Sequence, residues 1–305
     1  MTGPQQVKAI AGKALNEADF VGVIKKALKE NGLDIDTSDD CGLTPHPSEI
    51  VTTDSLVENA HFNRNFDRPY DIGRQAAVVN LSDLAASGAA PAWISWTLNL
   101  NPQWSLDDVY ELTQGMAAEL SLHETQLVAG NLTLSPGPSV ISVTAAGYLT
   151  GQKPLLRTAA MPGDEIFVTG RLGRATRGFL SPTVAFRRER HRWRPHLAES
   201  AILASTDGVH ACMDISDGLL LDASRMAAAS EVAIQLESSL IPVIGDLHTA
   251  ITGGEDYVLL FTASPKTNLP SWAKRIGCCA PGSGVYLDDR PVHAAGYDHF
   301  LRGTD

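Results

Sequence analysis

The apolar residues of this chain recur at two spacings, and each spacing is typical of one kind of secondary structure. Apolar positions three and four residues apart indicate amphipathic helices. They are predicted over residues 16–31, 71–87 and 219–229, and along a stretch that carries Val109, Leu112, Met116 and Leu120. Asn31-Gly32 and Gly88 are stop signals for the first two helices, and a capping box of Ser105 and Asp108 precedes the stretch from Val109.

Short runs that are β-branched, or that alternate between apolar and polar positions, indicate strands. They are predicted at residues 50–53, 94–100, 126–129 and 140–146 in the first half, and at 166–169, 212–215, 232–236 and 257–262 in the second. The strand at 50–53 is expected to deliver Asp54 into a loop. Residues 151–164 contain no clear element, so a domain boundary is predicted near residue 150. Strands and helices alternate on both sides, which predicts an α+β fold with mixed β-sheets in two domains, 1–150 and 151–305.

The composition is that of an ordinary globular protein, because 305 residues with 44% apolar side chains can build two cores. No stretch approaches the roughly 20 apolar residues that span a bilayer, so a cytoplasmic protein without a membrane partner is expected. The net charge of −11 argues against nucleic acid as a partner. Residues 1–150 hold 8 Lys and Arg against 18 Asp and Glu, whereas residues 151–305 hold 16 against 17. Acids concentrated near Ser, Thr and Gly suit hard divalent cations.

Five short acidic motifs stand where predicted strands end or predicted helices begin. They are Asp39-Asp40, Thr52-Thr53-Asp54, Asn80-Leu-Ser-Asp83, Asp214-Ile-Ser-Asp217-Gly218 and Gly253-Gly254-Glu255-Asp256. Each motif alone is explained by an ordinary turn, since Asp and Gly favour turns. Their number and their common placement call for another explanation.

Asp83 is the most informative single residue. On the predicted helix 71–87 it shares one face with Ile72, Ala76 and Val79, which places a carboxylate on the core side. An unpaired buried carboxylate costs several kcal/mol, so Asp83 needs a cation, a hydrogen-bond donor or a proton. A metal contact and a backbone partner both satisfy this requirement.

The motif around Asp214 also combines carboxylates with a hydroxyl. Strand alternation sends Asp214 and Ser216 to the same side, and Asp217-Gly218 opens the predicted helix 219–229. Asp217 is either the N-cap of that helix or a ligand of Mg2+, with phosphate facing the helix N-terminus. Gly130 and residues 135–138 permit close backbone approach, although a plain turn explains them equally well. No glycine cluster matches the dinucleotide-binding or P-loop fingerprints.

At these residues the sequence resembles the thiamine-monophosphate kinase family, part of an ATP-binding superfamily with aminoimidazole ribonucleotide synthase and selenophosphate synthetase. The resemblance runs nearly end to end through the motifs Val51–Phe62, Ala77–Gly88, Met213–Leu219, Thr252–Phe261 and Gly296–Phe300. It implies the aminoimidazole ribonucleotide synthase-like fold. The first domain would bind metal and ATP and form a homodimer, and the second would complete the nucleotide and substrate site.

The resemblance also implies a role for individual residues. The implied ligands of several Mg2+ ions are Asp40, Thr52, Thr53, Asp54, Asp83, Asn131, Asp214 and Asp217. The implied ATP contacts are Gly130, Arg157 and Ser216. The implied thiamine monophosphate contacts are His61, Glu255 and Tyr297, with the Tyr297 ring stacked on the cationic heterocycle. No residue is assigned a catalytic role, because the transfer would be direct and metal-assisted.

Two segments depart from the family pattern. Asn131 stands in Ala129-Gly130-Asn131-Leu132, where the family usually has Gly-Gly-Asp-Thr. An asparagine can ligate through its carbonyl oxygen but brings no negative charge, which bears on the number of metals, on Mg2+ affinity and on activity. Ser38 stands where glycine commonly precedes the Asp pair.

The expected reaction is ATP-dependent phosphorylation of thiamine monophosphate to thiamine diphosphate by in-line transfer with Mg2+. Three alternatives remain open: the same ATP chemistry on another small acceptor, a nucleotide-binding regulator impaired by Asn131, and a metal-dependent phosphatase. The basic segment Arg187–Arg194 is interpreted as a solvated helix face or loop.

Overall fold

The computed structural model describes residues 17–33, 35–36, 39–46, 48–180 and 190–297. The α-helices of that part are α1 (Glu17–Glu30), α2 (Pro69–Ala86), α3 (Leu106–Leu122), α4 (Arg174–Leu180), α5 (Leu197–Ala204), α6 (Leu219–Ser230) and α7 (Leu247–Thr252). The four helices predicted from apolar spacing are confirmed as α1, α2, α3 and α6. The predicted capping box is also present, since Ser105 and Asp108 each accept the other's backbone N–H. None of the helices described is both long and apolar enough to cross a bilayer.

The first sheet has five strands. They are β1 (Gly42–Leu43), β2 (Glu49–Val57), β3 (Ala89–Leu100), β4 (Gln126–Leu134) and β5 (Val140–Leu149). Their order across the sheet is β1-β2-β5-β3-β4, and all neighbours are antiparallel except β3 and β4. Strand β4 therefore forms one edge of the sheet.

The second sheet has seven strands. They are β6 (Glu165–Val168), β7 (Val209–Asp214), β8 (Val232–Leu236), β9 (Leu259–Ala263), β10 (Lys274–Pro281), β11 (Gly284–Leu287) and β12 (Arg290–Val292). The order is β12-β11-β8-β10-β6-β9-β7, with β8 and β11 parallel. Two mixed sheets flanked by helices confirm the predicted α+β fold. The sequence did not predict β10 to β12, which are short or lack regular alternation.

Two predicted strand ends are wrong. Strand β2 continues to Val57, so Asp54 lies within the strand opposite Val143 rather than in a loop. Polar residues can continue here because their partners on β5 are polar as well: the hydroxyls of Ser55 and Ser142 lie 2.8 Å apart. Strand β4 likewise extends beyond residue 129, so Gly130 and Asn131 lie in a strand and not in a turn.

Helix α2 is the central element of the molecule and is buried along almost its whole length. It contacts β2, β5 and α3 of the first half and also β7 and α5 of the second. Helices α2 and α3 approach backbone to backbone at two glycines. A Cβ at Gly73 would lie 1.9 Å from the Leu112 carbonyl oxygen, and one at Gly115 would lie 1.9 Å from that of Tyr70. These contacts fix the position of α2 and hence of the polar residues that it carries.

Candidate active site

A cavity of about 470 Å³ lies where the two halves meet. Its walls come from β2, α2 and α4 and from the segments 60–61, 216–217, 252–257 and 296–297. Among the residues with expected roles it is lined by Asp54, His61, Asp83, Ser216, Asp217, Glu255 and Tyr297. Acids from three distant parts of the sequence, Asp54, Asp83 and Asp217, thus line one cavity.

Two hydroxyl groups hold the deepest carboxylates. The Thr52 hydroxyl donates to Asp83 Oδ2 at 2.6 Å, and the Ser82 hydroxyl donates to Asp214 Oδ2 at 2.5 Å. Ser82 and Asp83 are neighbours on α2, so this helix joins β2 to the end of β7. The polar residues on the buried side of α2 therefore connect the acids of the first half with those of the second.

The acidic cluster is electrostatically unfavourable without a cation. Burial, and then the charges of Asp214, Asp54 and Asp40, raise the pKa of Asp83 well above its ordinary value. Burial and the charge of Asp40 do the same for the pKa of Asp214. Like charges at low dielectric resist joint ionisation, which a bound divalent cation would relieve.

Asp40 and Arg157 form the outer part of this cluster. The Arg157 guanidinium donates to Asp40 Oδ1, and the Arg157 backbone N–H donates to Asp39 Oδ2 at 3.1 Å. The other oxygen of Asp40 is buried and has no hydrogen-bond partner among the described residues. Burial and the neighbouring Asp40 raise the pKa of Asp39 to about 7. A buried carboxylate oxygen without a donor is suited to a cation.

The donor set suits Mg2+, although the protein side chains alone do not form a complete site. Within the described ranges, no three His, Cys, Asp or Glu side chains converge as ligands of one ion. Mg2+ commonly binds through one or two carboxylates and completes its shell with water and substrate phosphates. Separated carboxylates with hydroxyls beside them agree with that mode of binding.

Asp217 is not the N-cap of α6, so that alternative is wrong. The N-cap is Gly218, and no side chain caps it. Instead Asp222, which is fully buried, accepts the backbone N–H groups of Asp217 and Gly218 at 3.0 and 3.1 Å. Arg225 Nη1 then donates to Asp217 Oδ2 at 2.6 Å and to Asp222 Oδ1 at 2.7 Å. The Asp217 side chain is thereby held at the cavity wall.

The same cavity is also lined by His61, Glu255 and Tyr297. The Val57 N–H donates to His61 Nδ1 at 2.9 Å, which fixes the ring orientation. Glu255 accepts from Gln75 Nε2 at 2.9 Å, and burial raises its pKa to about 7. The Tyr297 N–H donates to the Asp217 carbonyl at 3.0 Å and ties the last described residues to the acidic motif.

The backbone at Glu255 and Tyr257 is strained. Their φ angles are 65° and 52°, values that residues other than glycine rarely adopt. The N–H groups of both residues donate to the segment 215–216, at 2.8 Å to Ser216 and 3.0 Å to Ile215. Strained residues held by surrounding hydrogen bonds are frequent at functional sites, and here they aim Glu255 at the cavity.

Three of the expected site residues lie elsewhere. The Thr53 side chain points to the face of β2 opposite Thr52, and its hydroxyl donates to the Val143 carbonyl at 3.0 Å. Gly130 and Asn131 lie on β4, opposite Trp96 and Thr97 of β3. Strands β5 and β3 separate β4 from β2, a distance of about 14 Å at the usual strand spacing. Within one chain, the structure does not bring Asn131 to the cavity.

Sequence reasoning missed Gln75, Asp222 and Arg190. Gln75 precedes Val79 by four residues and Asp83 by eight, so the helical period that singled out Asp83 contained a signal for it. The interpretation of the basic segment as solvated is wrong for Arg190, which is only 5% exposed, and for the adjacent His191. Residues 187–189 of that segment lie outside the described residues.

Comparison with known families agrees with this architecture. Residues 38–149 match the family described as AIR synthase related protein, N-terminal domain, and residues 161–278 match its C-terminal domain. The two matches together cover most of the chain.

Two relatives of this chain are thiamine-monophosphate kinases. A thiamine-monophosphate kinase of Rhodopirellula baltica is 32% identical over 73% of this chain and 70% of its own length. One from Salmonella typhimurium is 31% identical over 94% and 99%. The solved structure of AaThiL complexed with AMPPCP and TMP is 29% identical, covers 96% of this chain and 99% of its own, and superposes with a TM-score of 0.86.

Proposed function

This chain belongs to the AIR synthase related family and, within it, to the thiamine-monophosphate kinases, and on that premise we propose that it phosphorylates thiamine monophosphate. ATP is the phosphoryl donor and thiamine diphosphate the product. The observation that carries the proposal is that one cavity is lined both by the acids Asp54, Asp83 and Asp217 and by His61 and Glu255. A related structure solved with AMPPCP and TMP supports both the donor and the acceptor.

The acceptor supplies its own nucleophile. The second pKa of a phosphate monoester lies near 6, so the attacking oxygen of thiamine monophosphate is ionised at neutral pH. No side chain is needed as a general base, and the transfer proceeds in line to the γ-phosphorus of ATP. The protein contributes positioning of the two phosphates and screening of their mutual repulsion.

The acidic cluster would hold Mg2+ ions, which would supply this screening by neutralising charge on the phosphate oxygens of donor and acceptor. The proposed ligands are Asp40, Thr52, Asp54, Asp83, Asp214 and Asp217, with Thr53 able to contribute only backbone atoms from its position on β2. Ser216 and Arg157 contact ATP in this proposal. Arg157 would exchange its contact with Asp40 for a phosphate oxygen.

His61, Glu255 and Tyr297 bind the thiamine moiety in this proposal. The Glu255 carboxylate attracts a cationic heterocycle, and Tyr297 offers an aromatic face to it. His61 is oriented by the Val57 N–H and can donate from its other ring nitrogen. The cytoplasm, where ATP is available, is the proposed location.

A product assay with an Asn131→Asp variant tests the proposal and its main alternative. We expect the wild-type protein to form thiamine diphosphate from Mg2+-ATP and thiamine monophosphate. Within one chain residue 131 lies away from the cavity, so the added carboxylate should lower the Mg2+ concentration for half-maximal rate several-fold only in a homodimer whose second copy brings it to the acidic cluster. Asn268→Asp, which adds the same charge at an exposed loop position, is the matched control and should leave the Mg2+ requirement unchanged.

The alternatives give different results in the same assay. Activity that appears only in Asn131→Asp indicates a regulator impaired by asparagine. Calorimetric titration without binding of thiamine monophosphate favours another acceptor. Release of phosphate from thiamine monophosphate without ATP indicates a phosphatase.

We also propose that the protein is a homodimer that pairs through β4. All nine residues of this edge strand are exposed. Leu132 and Leu134 share one face of it and are 64% and 73% exposed, and Val128, at an irregularity of the strand, is 54% exposed. An exposed apolar edge strand favours association, and a two-fold interface buries the same surface of both copies. Such a dimer places Gly130 and Asn131 beside a second chain.

Leu132→Asp tests the dimer. A charge at the centre of this strand face is expected to convert the wild-type dimer into a monomer, because an unpaired buried charge weakens an interface by several kcal/mol. Sedimentation velocity measures the change in mass. Leu240→Asp, in the second half of the chain, is the control and should remain dimeric. A wild-type monomer, or a dimeric Leu132→Asp, contradicts the assignment of β4.

A further inference from the structure

Arg190 is a buried cation beside His61, one of the residues proposed to contact thiamine monophosphate. It is only 5% exposed, although the surrounding segment is strongly basic. Its Nη2 donates to the His61 carbonyl at 3.1 Å and to Asp67 Oδ2 at 3.3 Å. Its Nε is buried and has no hydrogen-bond partner within the described ranges. A buried guanidinium with an incomplete set of partners is a costly group, and its retention at a cavity needs a functional explanation.

Asp67 stabilises the loop that carries His61 by a hydrogen bond within it. Its Oδ2 accepts the Asn63 N–H at 2.7 Å, and its Oδ1 lies 3.2 Å from His191 Nε2. Burial raises the pKa of Asp67, but the hydrogen bond from His191 and the charge of Arg190 outweigh it and lower the pKa below its usual value. The carboxylate is therefore the anionic partner of Arg190. The pair carries no net charge and does not repel a cationic ligand.

Arg190 also acts on two further walls of the cavity. Its guanidinium carbon lies 5.5 Å from the ring centroid of Phe179, which lines the cavity from α4. Its charge opposes the rise that burial causes in the pKa of Glu255. The hydrogen bond from Gln75 also lowers the pKa of Glu255, whereas the charges of Asp67 and Asp256 raise it. One side chain thus touches the His61 loop and the Phe179 ring and stabilises the charge of Glu255.

We propose that Arg190 is a positioning residue that sets the affinity for the thiamine moiety by holding the His61 loop, Phe179 and Glu255 in one arrangement. The inference rests on the proposed function. It assigns Arg190 to acceptor binding and not to phosphoryl transfer, because no acid of the Mg2+ cluster contacts it in the described structure.

The test compares Arg190→Met with Arg192→Met, a matched change at an exposed arginine two residues away. Calorimetry with thiamine monophosphate alone gives the dissociation constant, and steady-state assays give kcat and both KM values. For Arg190→Met we expect binding of thiamine monophosphate to weaken about tenfold or more, because the charged hydrogen bonds that hold the His61 loop are lost. The KM for ATP and the kcat at saturating acceptor should change less than twofold. Arg192→Met should behave as wild type.

Two further variants keep the test decisive if Arg190→Met fails to fold. Arg190→Lys keeps the charge but has no planar guanidinium to lie over the Phe179 ring, so it should recover only part of the affinity. Asp67→Asn keeps the acceptor for Asn63 and removes the ion pair, and it should weaken acceptor binding selectively.

The outcomes separate this inference from the proposed function. Wild-type protein that binds no thiamine monophosphate overturns both. Wild-type binding with undiminished binding by the Arg190 and Asp67 variants overturns the inference alone. Equal losses in kcat, in the KM for ATP and in acceptor affinity also overturn it, because a general loss of structure would produce them.

Discussion

Asp83→Asn is expected to lower kcat about 100- to 1000-fold, the loss that follows removal of one group that stabilises charge in a transition state. The carboxylate lines the cavity and is held by the Thr52 hydroxyl at 2.6 Å. Asparagine keeps an acceptor for Thr52 but loses the charge that would bind Mg2+. The measurement is the rate of thiamine diphosphate formation at saturating Mg2+-ATP and thiamine monophosphate.

The same substitution should stabilise the metal-free protein. Replacing a buried carboxylate that faces the charges of Asp214, Asp54 and Asp40 relieves repulsion. The unfolding free energy is expected to rise by about 1 kcal/mol or more, by analogy with neutralised buried charges. Denaturant unfolding in a chelator measures it. Asp71→Asn is the control on the same helix: Asp71 pairs with Arg68 away from the cavity, so this change should cost some stability and leave kcat unaltered. An active Asp83→Asn, or one less stable without metal, contradicts the assignment of Asp83.

Without metal, the melting temperature is expected to fall as the pH rises from about 6 to 8.5. The folded-state pKa values of Asp83 and Asp214 are raised, and those of Asp39 and Asp222 are raised to about 7. An acid with a raised folded pKa binds more protons folded than unfolded, so stability is lost as the pH rises through the folded value. Burial lowers the folded pKa of His196 to about 4, so its protonation in the unfolded state costs stability below its ordinary pKa of 6.5. That cost fades as the pH rises from 6 and opposes the fall only at the lower end of the range.

Mg2+ should reverse that loss. Binding to the folded protein alone raises its stability, and the ionised cluster at pH 8.5 should bind more tightly than the partly protonated cluster at pH 6. We therefore expect a larger increase in melting temperature at pH 8.5, with about 2–4 °C for each kcal/mol in a domain of 150–250 residues. Calorimetric scans with EDTA or Mg2+ at constant ionic strength measure this, and Asp83→Asn should show a smaller increase. A melting temperature that rises with pH in EDTA and ignores Mg2+ argues against an acidic ion-binding cluster.

Local periodicity was sufficient to predict four of the helices, eight of the strands and the most important side chain. Helical spacing placed Asp83 on the same face as Val79, and in the structure both line the cavity. The strand at 50–53 was predicted too short because its continuation is stabilised by polar cross-strand partners on β5, which the local sequence does not contain. The predicted domain roles and the site assignments stay predictions.

Pairings between distant parts of the chain were beyond local reasoning. Arg157 meets Asp40 across 117 positions, and Arg190 meets Asp67 across 123. Each arginine alone is indistinguishable from a solvated one, because its environment is set by the packing of the two halves. Family resemblance supplied an expectation for Arg157 but none for Arg190. Asn131 is the opposite case. The family motif implies that it binds metal, but within one chain it lies on β4, away from the cavity.

The reciprocal glycine contact between α2 and α3 restricts how this protein can diverge. The atoms that a methyl group at Gly73 or Gly115 would meet are backbone carbonyl oxygens, so no smaller side chain on the opposite helix can relieve the overlap. A side-chain substitution on the opposite helix therefore cannot compensate for a larger residue at this crossing, and the backbone of one helix would have to move. In a chimaera that contains α2 of a homologue, Asp83 and Gln75 keep their positions only when that helix has glycine at position 73.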